Sequence, residues 1–203
     1  MPKPTTLLSI AGATPTPFDR SQSALLLIDF QQEYITGKLA LGSAGQAAIS
    51  QATKLLNYAR QQAMPIFHVL HHATVNAAVF NPLSEQAAVI HSLRPLAGET
   101  VIIKSLPNSF YHTELQAQLK QSGRNQLIIA GLMSHMCVTA TTIAALELGY
   151  SNFICADACA TRALSAADGQ SLPANTVHQV AMAALGDRYA KIQSLQLLMQ
   201  AAE

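Results

Sequence analysis

Asp29, Lys104 and Cys137 together offer a proton acceptor, a cation and a nucleophile. The thiolate, not the thiol, attacks carbon, so Cys137 needs a group that takes its proton. Asp29 is such a group, and it can later pass the proton to a leaving amine. For that its pKa must rise, which burial at a strand end favours and a nearby Lys104 opposes. A helix N-terminus and an ammonium both lower a thiol pKa, so an activated Cys137 is expected. Backbone N–H groups of the turn before Cys137 can form an oxyanion hole. Taken singly, each residue has an ordinary reading: a loop-capping Asp, a solvated Lys, an inert buried thiol.

Position separates them from that background. SALLLIDF is a short continuous apolar run, as in a strand buried on both faces, and Asp29 closes it. Residues 46–62 carry Ile49, Leu55, Leu56 and Ala59 near helical spacing, and Met64-Pro65 ends that helix. PIFHVLH is a second strand, a short helix is expected at 84–91, and TVIIK is a third strand closed by Lys104. Residues 113–121 predict a helix with Thr113 as N-cap and Gly123 as stop. QLIIAGL is a fourth strand. A helix follows it at once and runs to about Leu148, with Cys137 at its start and Gly149 as its stop. SNFICAD is a fifth strand, residues 172–185 a helix with Pro173 in its first turn, YAKIQ a sixth strand and SLQLLMQAA a last helix.

Six strands alternating with helices predict an α/β fold, a three-layer α/β/α sandwich around a doubly wound six-stranded parallel sheet. Ligands in such sheets bind beyond the carboxyl ends of the strands, where all three residues fall. Residues 1–22, with Pro2, Pro4, Pro15 and Pro17, read as an N-terminal arm, and 23–203 as one domain.

Composition limits the partners. Lys and Arg number 12 against 11 Asp and Glu, so no basic footprint for nucleic acid exists. No apolar run approaches the roughly 18 residues of a membrane helix. The stretch MPKPTTLLSIAGA is too short and too broken by Ser9 to read as a signal peptide. Three cysteines, Cys137, Cys155 and Cys159, form no disulfide framework and fit a reducing cytoplasm. Charged residues are 11% of the chain, against roughly 25% in an average domain, which favours a homo-oligomer, a dimer or tetramer.

ALLLIDFQ, TVIIKSLPNSF, LIIAGLMSHMCVTATTIAALELGY and FICADACAT, in this order, resemble the isochorismatase-like cysteine hydrolase superfamily over about residues 23–192. The resemblance implies Asp29, Lys104 and Cys137 as catalytic residues. It also implies a non-proline cis peptide between Leu132 and Met133, with the N–H groups of Met133 and Cys137 as the oxyanion hole. Nicotinamidases of this superfamily carry a metal on an Asp and two or more His after the second strand. Here FHVLHHATVNAAVFNP has His68, His71 and His72 but no Asp, so neither a metal nor another cofactor is expected. Isochorismatases proper protonate a vinyl ether and would carry a small residue where Cys137 stands.

These features favour a metal-independent cysteine hydrolase that cleaves an amide or ureido C–N bond of a small molecule through a thioester. A vinyl ether hydrolase working through Asp29 and Lys104 stays open, as does a catalytically idle binding module. Gln31, Tyr34, His72, Phe110 and His135 are candidate substrate contacts. The ordinary readings are a loop cap for Gln31 and core packing for the two aromatics. Asn108 and Ser109 read as a helix entry, Asp157 as a loop ligand, and Cys155 and Cys159 as packed thiols. Loops at 31–45, 72–85 and 157–170 are expected to build the pocket.

Overall fold

A computed structural model describes residues 4–14 and 16–200. Positions 1–3 and 15 of the expected arm, and the end of the expected last helix beyond 200, lie outside the described residues.

The strands are β1 (Ser23–Ile28), β2 (Ile66–His71), β3 (Thr100–Lys104), β4 (Gln126–Leu132) and β5 (Ser151–Ala160). After them come β6 (Leu164–Ser165), β7 (Ser171–Leu172) and β8 (Lys191–Gln193). The helices are α1 (Leu7–Ile10), α2 (Gly42–Gln61), α3 (Leu115–Gln121), α4 (Thr139–Glu147), α5 (Ala174–Arg188) and α6 (Leu195–Gln200). Six strands form one parallel sheet in the order β3-β2-β1-β4-β5-β8, and β6 and β7 form a small antiparallel hairpin. The order reverses between β1 and β4, the switch point at which doubly wound sheets bind ligands.

Alternation along each strand feeds two cores. Leu25 and Leu27 join α2 and α6 on one face, while Ala24, Leu26 and Ile28 join α3, α4 and α5 on the other. The α2 stripe of Gly45, Ala48, Ile49, Ala52, Leu55, Leu56 and Ala59 repeats every three to four residues, as a single buried helix face requires. Gly131 is the point of closest approach of β4 to β1. A Cβ there would stand 2.7 Å from both Cβ and the carbonyl oxygen of Ile28, the residue before Asp29.

Local pattern and structure part in a few places. The helix expected at 84–91 is two 3₁₀ turns, Glu85–Ala87 and His91–Leu93. The chain between them pairs with the loop after β1: Val89 bridges Gln31, Ile90 N–H donates to Phe30 O, and Gln32 N–H donates to Ala88 O. Helix α3 starts at Leu115 rather than 113, and Thr113 Oγ1 accepts from Leu115 N–H while donating to Ser109 O. The fifth strand runs on to Ala160 through a break in register opposite Ile129 and Gly131. Cys137 does not sit in the first turn of a regular helix. It lies in a π-helical turn, Ser134–Val138, closed by Val138 N–H on Met133 O and continuing into α4.

Candidate active site

The groups converge at the carboxyl ends of β1, β2, β3 and β4. Asp29 leaves β1 with a left-handed backbone, φ 57°. Such a conformation costs about 1–3 kcal/mol unless its surroundings enforce it. They do: Asp29 N–H donates to Val69 O and its carbonyl accepts from Gln31 N–H, each at 2.8 Å. Lys104 ends β3, and its register partner on β2 is His71. Cys137 follows β4 through the cis Leu132–Met133 peptide and the π-helical turn.

Lys104 Nζ lies 2.8 Å from Asp29 Oδ2, 3.3 Å from Cys137 Sγ, and 3.2 Å from both His71 Nδ1 and Leu106 O. An ammonium has three protons for these four acceptors. Asp29, Lys104 and Cys137 are 0%, 2% and 5% exposed, so water screens none of these charges.

Burial is the largest influence on Asp29, Cys137 and His71. It raises the Asp29 pKa, against the opposing pull of the Lys104 ammonium. It pushes the Cys137 thiol up to about 12, with the Asp29 charge adding to the rise and Lys104 opposing it. The expected lowering of the Cys137 pKa is therefore reversed, because a thiolate here would lose water and face a carboxylate. Burial, then the Lys104 charge, lowers His71 to about 4, so its imidazole is neutral near pH 7.

Ligand-type atoms of Asp29, His71 and Cys137 lie within 4.8 Å of one another. Lys104 Nζ touches all three residues, so the ammonium holds the place from which a metal ion would have to meet them.

The other candidates divide. Tyr34 is buried, edge-on to Phe80, and near enough to Asp29 and Cys137 for their charges to add to the burial that raises its pKa. Gln31 is fully buried and spends its amide on backbone: Nε2 donates to His71 O and Ala87 O, and Oε1 accepts from His71 N–H. That is the loop-capping arrangement, and it locks the end of β2 to the loop after β1. Phe110 stacks on Tyr150 at 6.0 Å and packs against the core on the α3–α5 side. His135 Nδ1 bonds Thr161 Oγ1. At the end of β2 it is His71 that meets Lys104 through its side chain, whereas His72 meets it through backbone, N–H to O at 2.9 Å. His68 is turned away to Glu99, which also binds Arg60. Asp157 accepts from Leu195 N–H at the start of α6, and Cys155 and Cys159 are buried.

His71 and Phe80 stand outside the substrate contacts expected from the sequence. His71 meets Lys104 because the register of β2 on β3 pairs them, which the sequence alone does not give. Phe80 reaches His71 (centroids 4.8 Å apart) from a loop with φ 53°. Two of the expected pocket loops flank an open cavity of about 560 Å³ lined by Glu33, Lys38, Ala77, Val79, Asn81 and Glu85, and Asp29, Lys104 and Cys137 do not line it. His135, with Leu164 and Leu172 of the hairpin, lines a separate apolar groove of about 430 Å³ against α5.

This fold, with its reactive groups at the sheet switch point, has known counterparts. Residues 23–195 match the isochorismatase domain, and the chain belongs to that family of hydrolases. It is 42% identical over 180 residues to the uncharacterized isochorismatase family protein YddQ of Bacillus subtilis, covering 88% of this chain and 99% of that one. The crystal structure of an isochorismatase from Pseudomonas putida superposes with a TM-score of 0.91 at 38% identity, covering 96% of this chain and 98% of the other. Maleamate amidohydrolase of Pseudomonas putida is 30% identical over 146 residues, 64% of this chain and 68% of that protein. Among the described residues, no helix is long and apolar enough to cross a membrane.

Proposed function

We propose that the protein is a metal-independent cysteine hydrolase that cleaves an amide or ureido-type C–N bond of a small molecule. One observation carries the reading: a single buried ammonium, Lys104 Nζ, touches both Asp29 Oδ2 and Cys137 Sγ. A proton acceptor and a thiol held on one cation can exchange a proton without water. The likeness to an amidohydrolase supports the same bond type.

A thiol pushed up to about 12 is protonated at rest, so its proton moves to Asp29 as substrate binds. The sulfur adds to the carbonyl carbon, and the N–H groups of Met133 and Cys137 hold the oxyanion. Asp29 returns the proton to the nitrogen as the C–N bond breaks, leaving a thioester. Asp29 then takes a proton from water, hydroxide adds to the thioester, the C–S bond breaks, and the sulfur recovers the proton. Lys104 balances the charge on Asp29 and sulfur throughout. The small share of charged residues, 11%, supports a homo-oligomer as the working form.

A second reading is favoured by the burial of Asp29: it shifts the carboxyl toward the protonated form, against the pull of Lys104, and a proton donor is what vinyl ether hydrolysis needs. Cys137→Ala and Asp29→Asn, assayed on a panel of primary amides, ureides and vinyl ethers, separate the two. Loss of amide or ureide turnover in both variants supports the thioester route. Ether turnover that survives in Cys137→Ala and not in Asp29→Asn overturns it.

A further inference from the structure

We propose that His178 is a positioning residue for the nucleophile: from α5 it pins Ser134, and through it the turn that carries Met133 N–H and Cys137. The inference rests on the thioester reading above and adds a residue to its machinery.

Ser134 is fully buried and opens the π-helical turn, between the proposed oxyanion donor Met133 and the nucleophile Cys137. Its hydroxyl lies 2.7 Å from His178 Nδ1, a bond between elements 44 residues apart in the chain. Its carbonyl accepts from Thr139 Oγ1 at 2.7 Å, and Met133 O accepts from Met136 and Val138 N–H. The neighbouring His135 is tied in turn to Thr161. The other ties come from the turn itself, its continuation α4, Thr161 just after β5, and Lys104, which meets the sulfur of Cys137; His178 alone holds Ser134 from α5.

Helix α5 otherwise meets the core through apolar side chains, Val177, Met182 and Leu185. Among the described residues, two of its side chains hydrogen-bond to another element: Asp187, which accepts from Leu7 N–H, and His178. Filling space beneath the turn would need only another apolar residue. A directed bond to Ser134 instead sets its rotation, and rotation of residues 133–137 decides whether two N–H groups point at one oxygen. Such alignment matters when negative charge develops on oxygen and is indifferent to a reaction that develops none.

Two probes of Cys137 separate these cases. With 4-nitrophenyl acetate, sulfur adds to the acetyl carbon, an oxyanion forms, the C–O bond breaks and 4-nitrophenolate leaves. With iodoacetamide, the S–C bond forms as C–I breaks and iodide leaves, without an oxyanion. Ser134→Ala and His178→Ala are expected to slow acylation of Cys137 about tenfold while leaving alkylation within about twofold. His178→Asn, whose amide takes the place of Nδ1, is expected to recover most of the acylation rate, and His178→Leu none. The proposal is overturned if both probes slow alike, if neither slows, or if His178→Asn acylates as slowly as His178→Ala. A wild-type protein that is alkylated at Cys137 but never acylated there refutes the thioester reading itself, and this inference with it. Ser134→Ala removes one oxygen and keeps the comparison available should His178→Ala fail to fold.

Discussion

Lys104 Nζ lies 2.8 Å from Asp29 Oδ2, and both side chains are sealed from water. The pair joins the ends of β3 and β1 across β2, so one contact both ties two strand ends and sets the charge of the site. Removing one partner of such a pair leaves the other buried and uncompensated, which costs about 3–5 kcal/mol. Lys104→Met is expected to lose that much stability at pH 7. The loss should shrink at lower pH, since a buried Asp29 with a raised pKa favours its protonated form. Denaturant unfolding at pH 5 and pH 7 checks the sign.

The reactivity of Cys137 should climb with pH. Its thiol is pushed up to about 12 by burial and by the Asp29 charge. Alkylation of the free protein is therefore expected to rise about tenfold per unit from pH 7 to 10 without a plateau. Lys104→Met should slow it, because the ammonium is the group that favours the thiolate. Peptide mass spectrometry reads the rate, with Cys155 and Cys159 as internal references. A plateau near pH 7 would contradict the electrostatics of the site.

Removal of either proton partner should abolish turnover. For the best amide or ureide of the panel, Cys137→Ala and Asp29→Asn are each expected to lower kcat by about 10³-fold or more. Melting temperatures measured alongside show whether the loss is chemical. Asp29→Asn retaining normal acylation would remove Asp29 from the proton path.

Gly131→Ala should be costly although it adds one methyl. The new Cβ would meet Ile28 at 2.7 Å, on backbone as well as side chain, so β1 and β4 must separate where Asp29 leaves the sheet. Overpacking of this kind costs about 1–3 kcal/mol. Unfolding midpoints measure it, and a slowed Cys137 acylation should accompany it.

Acid stability should depend on Glu99. Burial raises its pKa, but bonds from Arg60, Leu96 N–H and His68 outweigh this and lower it from 4.5 to about 2. A depressed carboxyl stabilises the fold above its unfolded pKa, and that contribution is lost as pH falls from 4.5 to about 2. Glu99→Gln should flatten the stability profile across that window while lowering stability at pH 7, as denaturation from pH 7 to 2.5 would show.

Strand ends were legible in the chain because local pattern determines them. Continuous apolar runs such as SALLLI and QLIIAGL suit strands covered on both faces, and Asp29 and Lys104 mark where β1 and β3 meet their loops. Parallel connectivity then places Asp29, Lys104 and Cys137 at one edge without knowledge of any contact. Loop partners were not legible, since they depend on segments remote in sequence. The 84–91 segment lost its helix to backbone pairing with the loop after β1, and Gln31 went to that same seam. Whether His71 or His72 faces the ammonium followed from the register of β2 on β3. The thiol pKa followed from depth: a helix start and a lysine argue for a thiolate, and only the closed tertiary packing makes desolvation the larger effect.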